Sequence, residues 1–216
     1  MEIKVLKDIL GANEQIAQKN QQLLDSKRIF AVNIMSSPGA GKTSLILETI
    51  RRLKGKIKVG VIEGDLSSSL DAETVSKEGV PVVQINTDGG CHLDANMVYY
   101  ALSNLPLQDM ELLLIENVGN LICPAEFALG EHRKVLISST PEGADKPFKY
   151  PLMFHEVDTV ILNKIDLLPY LKFDTEVFCR AIKGINQKVE IIQISCATGQ
   201  GIQQWISWLM TQIGKR

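Results

Sequence analysis

The chain has 216 residues, 45% of them hydrophobic and 22% charged, a globular composition that excludes a disordered or collagen-like chain. Against 25 Asp and Glu there are 23 Lys and Arg, a formal net charge of −2, so no global positive field draws nucleic acid or an anionic membrane and any phosphate site has to be local. Four cysteines are too few for a disulfide-stapled secreted domain. With no signal-peptide pattern at the N-terminus and no apolar run of the roughly 18 residues that span a bilayer, the expectation is a cytoplasmic protein with reduced thiols.

Residues 2–25 set Ile3, Leu6, Ile9, Leu10, Ile16, Leu23 and Leu24 among Lys, Asn and Gln. That is the pattern of an amphipathic helix whose apolar stripe packs on the protein body or on a partner. Residues 1–28 are therefore read as an N-terminal helical extension, and 29–216 as one domain, since no repeat or composition break divides them.

The run 29–35 predicts a strand, and it leads into Ser36-Ser37-Pro38-Gly39-Ala40-Gly41-Lys42-Thr43 and a helical segment at 43–53. Strand, Gly-rich loop and helix in that order make a phosphate-binding loop. The glycines let backbone N–H groups turn toward an anion, and the helix presents its positive end. Ser37, Gly39, Ala40, Gly41 and Ser44 would cradle the phosphates, Lys42 would reach the β and γ oxygens, and the Thr43 hydroxyl would bind Mg2+. The pattern has Ser36 where G-x-x-x-x-G-K-[ST] has Gly, and the plainer alternative is a Gly-rich helix start with a solvated Lys42.

A second strand at 57–62 ends in Glu63-Gly64-Asp65, ahead of a helix at 71–78 and a strand at 80–85. Asp65 is placed to orient the magnesium shell or the attacking water, or else simply caps the next helix. Beyond the third strand, Cys91 and His92 stand side by side before a helix at 94–103. The strand 112–115 ends in Glu116-Asn117-Val118-Gly119, a D-x-x-G shape with Glu for Asp, and Cys123 follows closely. Glu116 can hold Mg2+ directly or through water and the Gly119 N–H can sense a γ-phosphate, unless Glu116 is only a loop acid. Lys42, Asp65 and Glu116 are the candidate catalytic residues. No glutamine follows Gly119 and no arginine finger is evident, which predicts slow intrinsic hydrolysis.

Thiolate and imidazole suit zinc or nickel. Adjacent residues chelate one ion poorly, and Cys91, His92 and Cys123 are too few for a closed tetrahedral site, so a two-fold dimer would have to pool ligands. Buried free cysteines and a histidine capping the next helix are the alternative. Strands at 134–137 and 159–162 come next, the latter ending in Asn163-Lys164-Ile165-Asp166. In that motif Asp166 can accept both N1–H and the 2-amino group of guanine, Lys164 can lay its stem over the base, and Asn163 can tie loops together. A plain loop has the same composition. A helix at 175–183, a strand at 189–194 ending in Ser195-Cys196-Ala197-Thr198, and a helix at 201–213 complete the chain. Ser195, Cys196 and Ala197 look like a fifth nucleotide loop, while Cys179 and Cys196 have no ligand-like neighbours in sequence. The alternation of apolar strands with amphipathic helices predicts an α/β fold, a mostly parallel, doubly wound sheet.

Six segments together resemble the hydrogenase-maturation nickel-insertion GTPases, the HypB family: residues 36–43, 63–65, 90–95, 116–124, 146–151 and 163–166. Cys-His-Leu-Asp-Ala and Asn-Leu-Ile-Cys-Pro are far more specific than the phosphate loop, and Ser36 is usual in that family. The resemblance implies a P-loop GTPase that dimerises with GTP and Mg2+ and binds Ni2+ or Zn2+ at Cys91, His92 and Cys123 near the dimer interface. It also implies nickel delivery, with a metallochaperone of the HypA family, to the large subunit of a [NiFe]-hydrogenase. Residues 1–28 hold neither Cys nor His, so no nickel-storage role is expected. Lys146 and Lys149 would reach phosphate across the dimer or stay solvated. The related urease-maturation GTPase carries Cys-Pro-His where this chain has Cys91-His92, a metabolite kinase is argued against by residues 163–166, and a non-catalytic zinc-stabilised dimer remains.

Overall fold

The computed structural model describes residues 9–65 and 70–215. Seven strands, β1 (Phe30–Ser36), β2 (Val59–Asp65), β3 (Val82–Asn86), β4 (Leu112–Glu116), β5 (Arg133–Ser139), β6 (Thr159–Asn163) and β7 (Glu190–Gln193), form one sheet in the order β3-β2-β4-β1-β5-β6-β7. Every pairing is parallel. The helices are α1 (Ile9–Lys27), α2 (Lys42–Leu53), α3 (Leu70–Ser76), α4 (Ala95–Leu102), α5 (Lys146–Lys149), α6 (Pro151–His155), α7 (Thr175–Ile185) and α8 (Ile202–Gly214).

The sheet is covered on both faces, and the period of two along β1 shows how. Val32 and Ile34 join Leu45, Ile50, Trp205 and Leu209 of α2 and α8. Ala31, pointing the other way, meets Leu24 of α1 and Val98 and Leu102 of α4, and Met35 meets Met153, Phe154 and Phe178 of α6 and α7. A strand buried on both sides has to be largely apolar, which is why β1 and β4 read as near-continuous apolar runs, with Asn33 the one polar residue inside β1. Between the core helices the Trp205 indole N–H donates to Thr49 Oγ1 at 2.8 Å, so the largest buried side chain carries no unsatisfied donor.

Periodicity did not foresee α5 and α6. Both are a single turn with a proline in the first turn, Pro147 and Pro151, too short to show a repeat. Helix α1 differs from expectation in its buried face. That face runs through Asn13, Ala17, Asn20 and Leu24, so half of it is polar. Asn20 Nδ2 donates to the Ala95 and Leu129 carbonyls at 2.8 and 2.9 Å, while Asn13 donates to the Ala128 carbonyl and accepts from the Ala95 N–H, both at 2.8 Å. The segment before Ile9, with Ile3 and Leu6, lies outside the described residues. Truncation to Asn20→Ala leaves two buried carbonyls without their donor and is expected to lower stability by about 2 kcal/mol, read as a shift in the urea midpoint at constant slope.

No helix among the described residues is long and apolar enough to cross a membrane. Strands β1, β2, β3, β4, β6 and β7 deliver the expected nucleotide and Cys/His motifs to the carboxyl edge of the sheet, where open α/β folds bind ligands.

Candidate functional site

Strand β1 runs out at Ser36 and the chain turns through Gly39 and Gly41, both at positive φ, before α2 begins at Lys42. Gly41 is irreplaceable on two counts: its φ is +107°, and a Cβ there would collide with Asn163 Nδ2. The Ser37 hydroxyl donates to the Glu142 carboxylate, which also caps the turn 140–142 through Ser139. Lys42 is buried, its Nζ 3.3 Å from Ser36 Oγ and 3.7 Å from Glu116 Oε1. It is not the solvated lysine of the plainer alternative.

Thr43 Oγ1 donates to Glu116 Oε1 at 3.0 Å. On the neighbouring strand Glu63 stands in register opposite Glu116, and both side chains are buried, with Glu63 Oε1 and Glu116 Oε2 shielded from water and without a hydrogen-bond partner. Burial, then the Glu116 charge, pushes Glu63 up to about 10, so it is protonated and hydrogen-bonds Glu116. Burial raises Glu116 as well, against the pull of Lys42. The oxygens of this proton-sharing pair are ones that a divalent cation next to Thr43 Oγ1 and the orphaned Glu116 Oε2 would take over in place of a proton. Hard oxygen ligands of this kind fit Mg2+. Asp65, two residues beyond Glu63 and so on the same face of β2, is half-buried, its carbonyl accepting from the Thr87 N–H at 3.0 Å. Gly119 lies against the phosphate loop so closely that a Cβ would come within 3.0 Å of Pro38 N.

A cavity of about 480 Å3 opens beside the loop, lined by Gly41, Ser44, Asn163, Lys164, Asp166, Cys196 and Ala197 among others. Asn163 is the knot that holds it. Its Nδ2 donates to the Ala40 carbonyl at 2.9 Å while Oδ1 accepts from the Lys164 and Cys196 N–H groups at 2.8 and 3.2 Å. Lys164, at φ +61°, reaches over to the Gly39 carbonyl at 2.7 Å. Asp166 Oδ1 is shielded and unpartnered, an acceptor awaiting a donor, and guanine offers two. Ser195 is fully buried beneath the cavity, its hydroxyl taking the Thr198 N–H, so it holds the turn rather than lining the pocket. Burial pushes the Cys196 thiol up to about 12.

Beyond β3 a tight turn carries Cys91 and His92 to Cys123. Cys91 Sγ lies 2.8 Å from Cys123 Sγ and 3.5 Å from His92 Nδ1, and the three ligand atoms lie within 4.8 Å of one another. Asp94, not His92, caps α4, accepting from the Met97 N–H at 2.8 Å. The His92 ring lies against Phe127 with centroids 3.9 Å apart and planes tilted by 35°, and burial lowers the pKa of its imidazole. A hydrogen bond with Cys91 raises the Cys123 pKa, with burial and the Cys91 charge adding to it; a bound dication would favour the thiolates instead. Cys179 and Cys196 pack instead against apolar clusters. Lys149 pairs with Asp145, and Lys146 sits 5.6 Å above the Tyr150 ring.

Sequence reasoning quoted Glu63 and Asn117 within their motifs but gave neither a role, and it passed over Glu142. The signal for Glu63 was present as a second strand-end glutamate, but only the adjacency of β2 and β4 makes it a partner of Glu116.

A parallel sheet with a Gly-rich loop at the end of β1, an Asn-Lys-Ile-Asp loop at the end of β6 and acids at the ends of β2 and β4 has the form of a P-loop GTPase, here with a Cys/His cluster at its edge. The family model for the CobW/HypB/UreG nucleotide-binding domain matches residues 30–193. The hydrogenase maturation factor HypB of Escherichia coli (strain K12) is 47% identical over 95% of this chain and 71% of its own length. The probable hydrogenase maturation factor HypB of Methanocaldococcus jannaschii is 41% identical over 96% and 94%. The structure of Helicobacter pylori HypB in complex with nickel superposes with a TM-score of 0.90 at 32% identity, covering 94% of this chain and 96% of that one. Archaeoglobus fulgidus HypB superposes at 0.88 and 40%, covering 94% and 99%. This chain belongs to the HypB family of hydrogenase maturation GTPases. Signal recognition particle receptors such as FtsY, 16% identical at a TM-score of 0.56, share the fold alone.

Proposed function

We propose that this protein hydrolyses GTP to GDP and phosphate and uses that cycle to carry nickel toward [NiFe]-hydrogenase, dimerising when GTP is bound. One observation carries the reading: Cys123 lies a few residues along the chain from the Glu116–Gly119 loop and 2.8 Å from Cys91. Movement of that loop when the γ-phosphate leaves would therefore change the spacing of the thiols. Lys42 holds the β and γ oxygens, Asp65 orients the attacking water, and Ser37, Gly39, Ala40, Gly41 and Ser44 enclose the phosphates. The Gly119 N–H senses the γ-phosphate. Thr43 and Glu116 hold Mg2+, which neutralises charge on the phosphates. Asp166 reads guanine under the stem of Lys164, with Asn163, Cys196 and Ala197 closing the cavity and Ser195 holding the turn beneath them.

Cys91, His92 and Cys123 supply three soft ligands per chain, one short of a closed site for zinc and a poor cage for nickel alone. Two chains related by a two-fold axis would pool them, with Lys146 and Lys149 reaching across to phosphate. The domain proper is 29–216, with 1–28 an extension on it, and the partners are a HypA-type metallochaperone and the hydrogenase large subunit. A reducing cytoplasm keeps the two thiols available.

Native mass spectrometry with Ni2+ or Zn2+, with GDP or a non-hydrolysable GTP analogue, tests this reading. The wild type is expected to dimerise with the analogue and to hold metal with a nucleotide-dependent stoichiometry or affinity. Cys91→Ala should bind nickel at least about 100-fold more weakly. Metal binding indifferent to both nucleotide and Cys91 sinks the reading.

A further inference from the structure

Behind the Cys/His cluster lies a chain of buried polar side chains that neither the phosphate chemistry nor metal ligation uses. Asn117 is fully buried between Glu116 and Val118. Its Oδ1 accepts two backbone N–H groups at once, Val118 at 2.9 Å and Leu93 at 3.1 Å. Its Nδ2 donates to Asn33 Oδ1 at 3.2 Å, Asn33 Nδ2 donates to Glu131 Oε1 at 3.2 Å, and Glu131 Oε2 accepts the Leu129 N–H at 2.6 Å. The order of donors and acceptors fixes the amide, since a flip would set its NH2 against two N–H donors.

The two N–H groups that share this oxygen belong to different machines. Val118 precedes Gly119, which lies against the phosphate loop, and Leu93 follows Cys91 and His92. The Leu93 side chain is in turn wedged over Gly64, between Glu63 and Asp65, where a Cβ would come 2.8 Å from Leu93 Cγ. Leu93 is thus gripped from both acid-bearing strands of the nucleotide pocket. A shift of the Val118 peptide cannot leave the shared acceptor in place, and a buried N–H left without it carries a penalty too large to ignore.

Taking the nickel-carrying switch proposed above as given, we infer that Asn117 is the positioning residue that couples the γ-phosphate side of the nucleotide pocket to the Cys91, His92 and Cys123 cluster. It touches neither ligand. It sets the Leu93 backbone, and so the approach of Cys91 and His92 to Cys123, according to where the Glu116–Gly119 loop stands.

The test compares nickel affinity, followed by Ni2+–thiolate absorption, in the GDP and GTP-analogue states of the full chain. The ratio of the two dissociation constants is the readout. For the wild type it should be on the order of tenfold, for Asn117→Ala below about twofold. Asn33→Ala, which weakens the same buried chain while leaving both N–H bonds to Asn117 Oδ1 in place, should keep the wild-type ratio. A wild-type ratio of one defeats the switch reading itself. A wild-type-like ratio in Asn117→Ala, or its loss in Asn33→Ala to the same extent, overturns the role of Asn117 and leaves the switch standing. Should Asn117→Ala not fold, amide hydrogen exchange on the wild type decides: Leu93 and Val118 protection should change together between the two nucleotide states, and a Leu93 amide indifferent to nucleotide while Val118 responds overturns the inference.

Discussion

Replacing Lys42 by Ala is expected to slow GTP turnover about 100- to 1,000-fold, or roughly 2.7–4 kcal/mol of transition-state stabilisation. The size follows from where the ammonium sits. Lys42 is 9% exposed, between Ser36 Oγ and Glu116 Oε1, so its charge would act on phosphate oxygens bound there with little screening by water. No other cationic side chain of the described residues ion-pairs with Glu116, so nothing nearby takes over. The fold should survive, because Glu63 is already protonated and Glu116 raised, and losing the lysine lets the pair keep protons rather than strand a naked charge. Phosphate release at saturating Mg2+ and GTP, with thermal unfolding beside it, separates the two effects. Turnover within about threefold of wild type in a folded variant would remove Lys42 from the chemistry. Lys42→Arg should fail nearly as badly, since a planar guanidinium does not occupy the slot of a compact ammonium.

The reach of the sequence can be judged element by element. All seven strands were legible because a strand buried on both faces is mostly apolar, and β1, β4 and β6 are buried at every position, with only Asn33 polar inside β1. The edge strand β3, only half-buried, was found from its β-branched run. The single-turn helices α5 and α6 left no periodic trace, and α1 hid its buried face behind Asn13 and Asn20, which hydrogen bonds rather than hydrophobicity draw inward. In the site, local motifs carried the phosphate and base loops, since each is contiguous in sequence. The Glu63–Glu116 pair was invisible because strand order, not spacing, makes β2 and β4 neighbours. For the same reason residue chemistry alone left Cys91 and Cys123 open between metal ligands and free thiols. They lie 32 residues apart in the chain, and only the crossover through α4 and β4 brings them together.

Asp166→Asn is expected to weaken GDP and GTP binding by on the order of 100-fold or more, about 2.7 kcal/mol, while improving the affinity for xanthine nucleotides. Asp166 lines the base cavity with Oδ1 shielded from water and unpartnered, and its two oxygens match the paired N1–H and 2-amino donors of guanine. An Asn side chain there keeps one acceptor but turns an NH2 toward the 2-amino group, donor against donor, in a place where no water relieves the clash. Xanthine carries a carbonyl at C2 and retains N1–H, so the same Asn meets it with complementary groups. The cavity itself should persist, because its walls are set by Asn163, which holds the Ala40 carbonyl and the Lys164 and Cys196 amides without help from Asp166. Competition between GDP and XDP on wild type and variant measures the exchange of preference. If GDP binds both alike, the carboxylate does not face the base, and the specificity has to come from the backbone of residues 195–197. Adenine nucleotides should gain nothing in either protein, since adenine has no hydrogen on N1 and no 2-amino group to meet an acceptor at this position.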